Sequence, residues 1–174
     1  MRGSNTIRAE ILELSERIYQ LGEKHENERL FTFAESCTGG LVATSVTSVP
    51  GISAMFPGAV VTYGNRSKIE LLGVTPETIE THGAVSGQCA AEMAWGARKL
   101  FGARLAVSVT GIAGPGGGSA EKPVGTVWFA LCGEQGVLSL RKGLYTNRDR
   151  TGVRLSATRS AIRLLLNGLI KLEV

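Results

Sequence analysis

The sequence predicts a three-layer α/β/α sandwich around a mixed β-sheet, formed by a single domain of 174 residues. Three observations lead to this prediction. Short apolar runs of strand length alternate with segments of helical periodicity through most of the chain. Two strand-like runs then follow one another around a glycine-flanked turn, which is typical of an antiparallel hairpin. A long amphipathic segment near the carboxyl end supplies the last helix.

The individual elements are predicted in order from apolar spacing and turn residues. Ile7, Ile11 and Ile18 recur at helical steps and predict an amphipathic helix over residues 5–25, which could pack on its own domain or on a partner subunit. Ser86 is expected to cap the helix that follows it. The other predicted elements are strands at 30–34, 56–63, 105–110, 124–131 and 137–145, and helices at about 41–48, 65–72, 76–82, 86–101 and 149–169.

Charge and hydropathy limit the expected partners. The net charge is +4, which permits an anionic small-molecule ligand. The basic residues are scattered except over 141–163, so we expect no nucleic-acid partner. No apolar run approaches the ~18 residues of a membrane span, and no signal-peptide pattern is present, so we expect no membrane association and a cytoplasmic location.

Cysteine and histidine usage argues against disulfides and metals. The three cysteines, Cys37, Cys89 and Cys132, are odd in number and far apart, which favours a reducing compartment. They lack a metal-binding Cys-x-x-Cys spacing, and only two histidines are available, so no metal site is expected.

Two glycine-rich loops follow buried strands, Glu35-Ser-Cys-Thr-Gly-Gly40 and Thr110-Gly-Ile-Ala-Gly-Pro-Gly-Gly-Gly118. Ligands of open α/β sheets bind beyond the carboxyl ends of strands, so both loops are candidate sites rather than simple turns. Neither matches a standard nucleotide-binding signature. Backbone N–H groups and the helix start at 38–40 could hold an anion such as a phosphate. Glu35 could attract a positively charged group or merely cap that helix.

Serine, cysteine and lysine candidates for catalysis remain ambiguous on spacing alone. Ser119-Ala-Glu-Lys122 has the Ser-x-x-Lys spacing of serine β-lactamases, but its glycine and proline neighbours predict a loop, so we reject that match and expect Lys122 to be solvated or to anchor the loop. Cys37 at a helix start could be a nucleophile or a small buried side chain, and we favour the latter. Lys68 lies about one helical turn into a helix that follows Tyr63. Sequence spacing alone does not show whether either residue lies near Ser36.

Five ordered blocks together resemble the CinA C-terminal domain family, also known as the PncC-type nicotinamide mononucleotide deamidases. The blocks are Ala34-Glu-Ser-Cys-Thr-Gly-Gly40, Val61-Thr-Tyr-Gly-Asn65 with Lys68, His82-Gly-Ala-Val-Ser86, Gly111-Ile-Ala-Gly-Pro115 and Lys122-Pro-Val-Gly-Thr-Val-Trp128. The resemblance extends over residues 30–166. It implies hydrolysis of the carboxamide of nicotinamide mononucleotide to nicotinate mononucleotide and ammonia, without a cofactor, in a homo-oligomer that is expected to be a dimer.

The resemblance also implies roles for individual residues. Ser36 is the expected nucleophile and Lys68 its base, with Tyr63 and Thr110 at the catalytic centre. Arg148 would bind the substrate phosphate, as a guanidinium fork suits that group. The other expected substrate-binding residues are Thr38, Gly39, Gly40, Gly111 and Gly114. The alternative is a non-catalytic module that senses nucleotides or binds proteins in a competence-associated role.

Overall fold

The computed structural model describes residues 2–25 and 29–172. Within these residues the chain forms helices and strands in the alternating order that the sequence predicts. The helices are α1 Arg2–Gly22, α2 Leu41–Val46, α3 Asn65–Leu72, α4 Pro76–His82, α5 Gly87–Phe101 and α6 Arg150–Leu172. The strands are β1 Phe31–Glu35, β2 Ala59–Val61, β3 Leu105–Gly111, β4 Thr126–Gly133 and β5 Gly136–Leu144, and short 3₁₀ turns lie at Glu23–His25 and Ile52–Ala54.

The five strands form one mixed sheet in the order β2-β1-β3-β4-β5. Strands β2, β1 and β3 are parallel, whereas β4 is antiparallel to both β3 and β5. Because β5 is reversed twice relative to β3, it runs in the same direction as the parallel strands. The carboxyl ends of β1, β2, β3 and β5 therefore lie at one edge of the sheet.

Helices cover both faces of the sheet, which confirms the predicted three-layer sandwich. Helices α1, α2 and α6 cover one face over a core that includes Phe31, Phe33 and Leu165. Helix α5 covers the other face, where the small side chains of Ala90 and Ala94 allow it to approach the sheet closely. No helix within the described residues has an apolar run long enough to cross a bilayer.

Strand β1 lies between two strands and between two helical layers, so all five of its residues are buried. Successive side chains of a strand point to opposite faces. Glu35 at its end therefore points toward the layer of α2, and Ser36 toward the opposite layer. This alternation places the adjacent side chains of Glu35 and Ser36 on opposite faces of the sheet.

Several element boundaries differ from the predictions for identifiable reasons. Strand β2 is confined to three residues because it lies at the sheet edge and pairs only with β1. Helix α6 begins at Arg150, one residue later than predicted, since Asp149 is its cap and accepts a hydrogen bond from the Gly152 N–H (2.7 Å). The predicted Ser86 cap is confirmed by its bond from the Cys89 N–H (3.2 Å).

The amino-terminal helix α1 begins earlier than predicted, at Arg2, and it packs on its own chain. Ile11 and Ile18 are buried in the core shared with α6. Arg159 of α6 donates a hydrogen bond to Glu10 at 2.8 Å. Of the two placements that the sequence allows for this helix, the structure has the intramolecular one.

Candidate active site

Polar side chains from three adjacent strand ends meet at the carboxyl edge of the sheet. Ser36 follows β1, Tyr63 follows β2, and Thr110 lies at the end of β3. The Ser36 N–H donates to the Val109 carbonyl at 2.9 Å, so Ser36 and Thr110 are neighbours across the sheet. These side chains line a cavity of about 280 Å³.

Four further chain segments complete the wall of this cavity. They are Asn65 and Lys68 of α3, residues 84–85 before α5, the glycine-rich loop at 111–114 and 116–117, and Arg150 at the start of α6, while Cys37 adjoins Ser36 in the wall. A larger cavity of about 520 Å³ lies between α3 and α5 and is lined in part by Leu71 and Leu100. Its Glu92 carboxylate already accepts hydrogen bonds from Thr75 and Thr78, so we place the chemistry in the smaller cavity.

Lys68 lies within hydrogen-bonding distance of Ser36, with its Nζ 3.1 Å from the Ser36 Oγ. The Nζ also donates to the carbonyl oxygens of Thr62 (2.7 Å) and Tyr63 (3.3 Å). A neutral amine has two N–H bonds and one lone pair. If the amine is neutral, its two N–H bonds can be directed at these carbonyls, which leaves the lone pair for the Ser36 hydroxyl.

Burial favours the neutral form of that amine. Lys68 is only 1% exposed, and burial lowers the pKa of its ammonium group below the ordinary value. The thiols of Cys89 and Cys37 would oppose this shift if they were ionised. Burial raises the pKa of Cys37 to about 12 and that of Cys89 to about 11, so both are uncharged at neutral pH. At neutral pH these thiols therefore do not oppose the lowering of the Lys68 pKa.

The raised pKa of Cys37 argues against the rival hypothesis of a cysteine nucleophile, although this residue lines the cavity. A helix start was expected to lower the pKa of this thiol, but Cys37 is 5% exposed and desolvation dominates. Its side chain belongs to the apolar core. Cys37 is thus the small buried side chain that we favoured.

The amino terminus of α2 is filled by a carboxylate of the protein itself. The Glu35 Oε2 accepts from the N–H groups of Gly40 (3.0 Å) and Val42 (3.1 Å), and the Oε1 accepts from that of Ala43 (2.8 Å). Glu35 therefore caps the helix, which decides between its two predicted roles.

This capping corrects the expected anion site at Thr38, Gly39 and Gly40. None of the three lines the cavity. The Gly39 N–H donates to the Ser36 carbonyl (3.0 Å), and the Thr38 carbonyl accepts from the Arg154 guanidinium at 2.7 Å. The positive φ angles of Gly39 (60°) and Gly40 (91°) allow the tight turn after Ser36, so these glycines shape the turn.

The cation at the cavity mouth is Arg150, and the structure thereby differs from the expectation for Arg148. Arg150 donates to the Gly114 carbonyl (2.7 Å) and to the Tyr63 hydroxyl (2.6 Å), linking the loops that follow β2 and β3. Arg148 is exposed and does not line the cavity. The physical reason is that Arg148 precedes the Asp149 cap, whereas Arg150 is the first residue of α6.

Comparisons with known proteins identify the family. The family model described as "CinA C-terminal domain" matches residues 5–169. The chain belongs to the CinA C-terminal domain family. It is 46% identical over 157 residues to the "Nicotinamide-nucleotide amidohydrolase PncC" of Escherichia coli, covering 90% of this chain and 93% of that protein.

Other CinA relatives differ in length but share the fold. The chain is 45% identical to a "CinA-like protein" of Fervidobacterium nodosum, of which it spans only 41%. A solved structure of the "competence/damage inducible protein CihA" from Agrobacterium tumefaciens superposes with a TM-score of 0.86 at 46% identity, covering 91% of this chain and 96% of that one.

The CinA sequence blocks converge on the cavity or support its wall. Of the predicted site residues, Ser36, Tyr63, Lys68, Thr110, Gly111 and Gly114 line it. Sequence reasoning missed Asn65, residues 84–85 and Arg150, although the first two lie inside quoted blocks. The Lys122 ammonium donates to the His82 carbonyl (2.6 Å) and anchors its loop, as expected. No group of three or more metal-binding side chains occurs in the part of the chain that the structure describes.

Proposed function

We propose that this CinA domain hydrolyses the carboxamide of nicotinamide mononucleotide to nicotinate mononucleotide and ammonia. The observation that carries the proposal is the buried Lys68 amine 3.1 Å from the Ser36 hydroxyl. A serine hydroxyl needs an adjacent base to become a nucleophile, and a neutral lysine can serve. The name of the Escherichia coli relative supports the choice of a nicotinamide nucleotide as substrate.

The reaction follows from the position of this pair. The Ser36 Oγ attacks the carboxamide carbon while Lys68 accepts the hydroxyl proton. As the tetrahedral intermediate collapses, the C–N bond breaks, Lys68 returns the proton to the nitrogen, and ammonia leaves. Water then attacks the resulting ester, Lys68 accepts a proton from it, and nicotinate mononucleotide is released as Ser36 regains its hydrogen.

The negatively charged intermediate needs hydrogen-bond donors, each typically worth ~10²–10³ in rate. The Gly39 and Ile112 N–H groups are excluded because they donate to the carbonyls of Ser36 and Thr126. Ala113 and Gly114 line the cavity, and no hydrogen bond from their N–H groups is present within the described residues. We therefore assign the oxyanion site to the loop after β3, together with the Cys37 N–H beside Ser36.

The substrate contributes its own charge to the chemistry. Its pyridinium ring is cationic, which disfavours a protonated Lys68 and makes the carboxamide carbon more electrophilic. This hypothesis predicts a lower apparent pKa in the kcat profile, which reports the bound enzyme, than in the kcat/KM profile, which reports the free enzyme. Equal apparent pKa values in the two profiles would contradict it.

The phosphate contact is assigned to Arg150. It is the cation at the mouth of the cavity, and a guanidinium donates two parallel hydrogen bonds to phosphate oxygens. Its present acceptors are the Tyr63 hydroxyl and the Gly114 carbonyl, which a phosphate would replace or join. Tyr63 is 57% exposed and would then act at the rim of the site.

Ammonia release tests the proposal directly. Purified protein is incubated with nicotinamide mononucleotide, and ammonia and nicotinate mononucleotide are both quantified. We expect equal amounts of the two products, no turnover with Ser36→Ala, and retention of most activity with Cys37→Ala. Binding of the nucleotide without turnover at micromolar protein would contradict the enzyme and favour the nucleotide-sensing module.

A further inference from the structure

The Thr110 hydroxyl donates its hydrogen bond to a backbone carbonyl group. The Thr110 Oγ1 donates to the Ala84 carbonyl oxygen at 2.7 Å, and the side chain is 1% exposed. A threonine hydroxyl has one O–H bond, and a carbonyl can only accept. Any further partner of the Thr110 oxygen must therefore donate a hydrogen bond to it.

The Ala84 carbonyl, which accepts the hydrogen bond of Thr110, lies in a segment that is itself held in place. The Ser86 Oγ donates to the Gly83 carbonyl at 2.8 Å and caps α5. Lys122 donates to the carbonyl of His82 at 2.6 Å. Both bonds restrain the short segment between α4 and α5 that carries Ala84. The hydroxyl of Thr110 thus has little freedom to rotate its proton toward a ligand.

The fixed oxygen adjoins the proposed reaction centre. Thr110 and Ser36 lie side by side on neighbouring strands and line the same cavity. We propose that Thr110 accepts a hydrogen bond from the carboxamide nitrogen of the substrate and so selects the amide over the carboxylate product. This inference rests on the proposed function, and it assigns Thr110 a role in specificity.

The selection follows from the hydrogen-bonding capacity of the two groups. A carboxamide presents an NH₂ donor and a carbonyl acceptor, which match the Thr110 oxygen and the backbone donors of the loop after β3. A carboxylate has only acceptors, so one of its oxygens would face the Thr110 lone pairs without a proton between them. Sites built to pair with an N–H group reject ligands that lack it. Release of the carboxylate product is therefore favoured once water has hydrolysed the ester to Ser36.

Binding to a hydrolysis-deficient background tests this inference. In Ser36→Ala, calorimetry measures the Kd of nicotinamide mononucleotide and of nicotinate mononucleotide. We expect the product to bind at least ~10-fold more weakly than the substrate, about the worth of one hydrogen bond. Adding Thr110→Val should lower this Kd ratio by ~10-fold, whereas adding Thr110→Ser should preserve it.

Ser108→Ala is the matched control in the same background. Ser108 also donates from β3 to a buried carbonyl, that of Ala90, but it does not line the cavity. The Ser108→Ala substitution should lower the stability of the protein and leave the Kd ratio unchanged. An unchanged ratio in the Thr110→Val variant would overturn the inference, and so would an equal fall of the ratio in the Ser108→Ala control.

A ligand test avoids any change at Thr110. In 3-acetylpyridine mononucleotide a methyl group replaces the NH₂ group, so the donor is lost at nearly constant shape. We expect the Ser36→Ala variant to bind it ~10-fold more weakly than nicotinamide mononucleotide. Equal affinities overturn the inference alone. Failure of Ser36→Ala to bind nicotinamide mononucleotide overturns the proposed function as well.

Discussion

At the scale of single residues, the burial of Lys68 disfavours its charged form and suits the proposed role of its neutral form. An isolated buried ammonium group is strongly disfavoured, so burial drives the side chain toward the neutral form. The neutral form is also the one that can accept a proton from Ser36. In the proposed mechanism the same burial prepares Lys68 as the base, and its effect should be measurable in stability as well as in rate.

Lys68 should make folding stability depend on pH. Its pKa is lower in the folded than in the unfolded chain, so between the two values the unfolded chain binds one more proton. The free energy of unfolding should therefore increase with pH across this window, by at most about 1.4 kcal/mol per pH unit. Urea unfolding at a series of pH values should show this increase in the wild type but not in Lys68→Met.

The exposed Lys171 provides the matched control for that experiment. Lys171→Met should keep the pH dependence of the wild type. Lys68→Met should also lose ~10²–10⁴-fold in kcat, the usual contribution of a positioned base. The difference in unfolding free energy between wild type and Lys68→Met should change with pH. If this difference is the same at every pH, the lowered pKa of Lys68 is contradicted.

Substitutions of Arg150 and of Arg148 distinguish the two assignments of the phosphate contact. A charge-assisted contact contributes about 1.5–3 kcal/mol, so Arg150→Met should lower kcat/KM by ~10–100-fold, mainly by raising KM. Arg148→Met should change it much less because that side chain does not line the cavity. Steady-state kinetics of both variants decide the matter, and a larger effect at Arg148 would restore the assignment made from sequence.

At the scale of elements, the end of β1 directs two polar side chains to different tasks. Glu35 points to one face of the sheet and caps α2, while Ser36 points to the other and meets Lys68 of α3. The cap and the proposed nucleophile are adjacent in sequence, so the position of the turn that carries Ser36 depends on the bonds between Glu35 and α2.

Glu35→Gln should destabilise the protein and impair catalysis. The amide would present an NH₂ group to N–H donors in a buried site, and we expect a loss of about 2–3 kcal/mol in the free energy of unfolding. Glu16 on the exposed side of α1 is the control, since Glu16→Gln should stay within about 0.5 kcal/mol. Urea unfolding measures both, and equal losses would contradict the capping role.

At the scale of the whole molecule, α1 is part of the folding core. It shares that core with the sheet and with α6, and it lies far in sequence from α6. Ile18 is fully buried, whereas Leu12 on the same helix is 43% exposed. The two positions therefore report whether the amino-terminal helix unfolds together with the rest of the chain.

Ile18→Ala should lower the free energy of unfolding by about 2–5 kcal/mol, and Leu12→Ala by less than about 1 kcal/mol. Both variants should unfold in one transition when followed by circular dichroism and by tryptophan fluorescence, because Trp95 and Trp128 report on the opposite face of the sheet. Separate transitions for the two signals would show that α1 unfolds independently.

The oligomeric state predicted by the family resemblance is open to a direct measurement. Light scattering coupled to size exclusion should give twice the mass of one chain if the protein is a dimer. The mass of a single chain over the concentration range of the activity assay would contradict the dimer without affecting the proposed chemistry.

The sequence by itself determined the elements, the order of strand and helix, and the family. Periodicity, caps and turn glycines act over a few residues, which is why α3, α4 and the Ser86 cap were predicted correctly. The paired hairpin of β4 and β5 follows from the same local signals.

Only the tertiary structure decided which side chains meet. Lys68 reaches Ser36 across 32 residues because its buried side chain extends from α3 to the residue that follows β1. Arg150, and not Arg148, lines the cavity, and Glu35 fills the helix start that was expected to bind an anion. Each outcome depends on the direction of a side chain from its element and on what packs against it, and local sequence patterns do not specify those directions between distant elements.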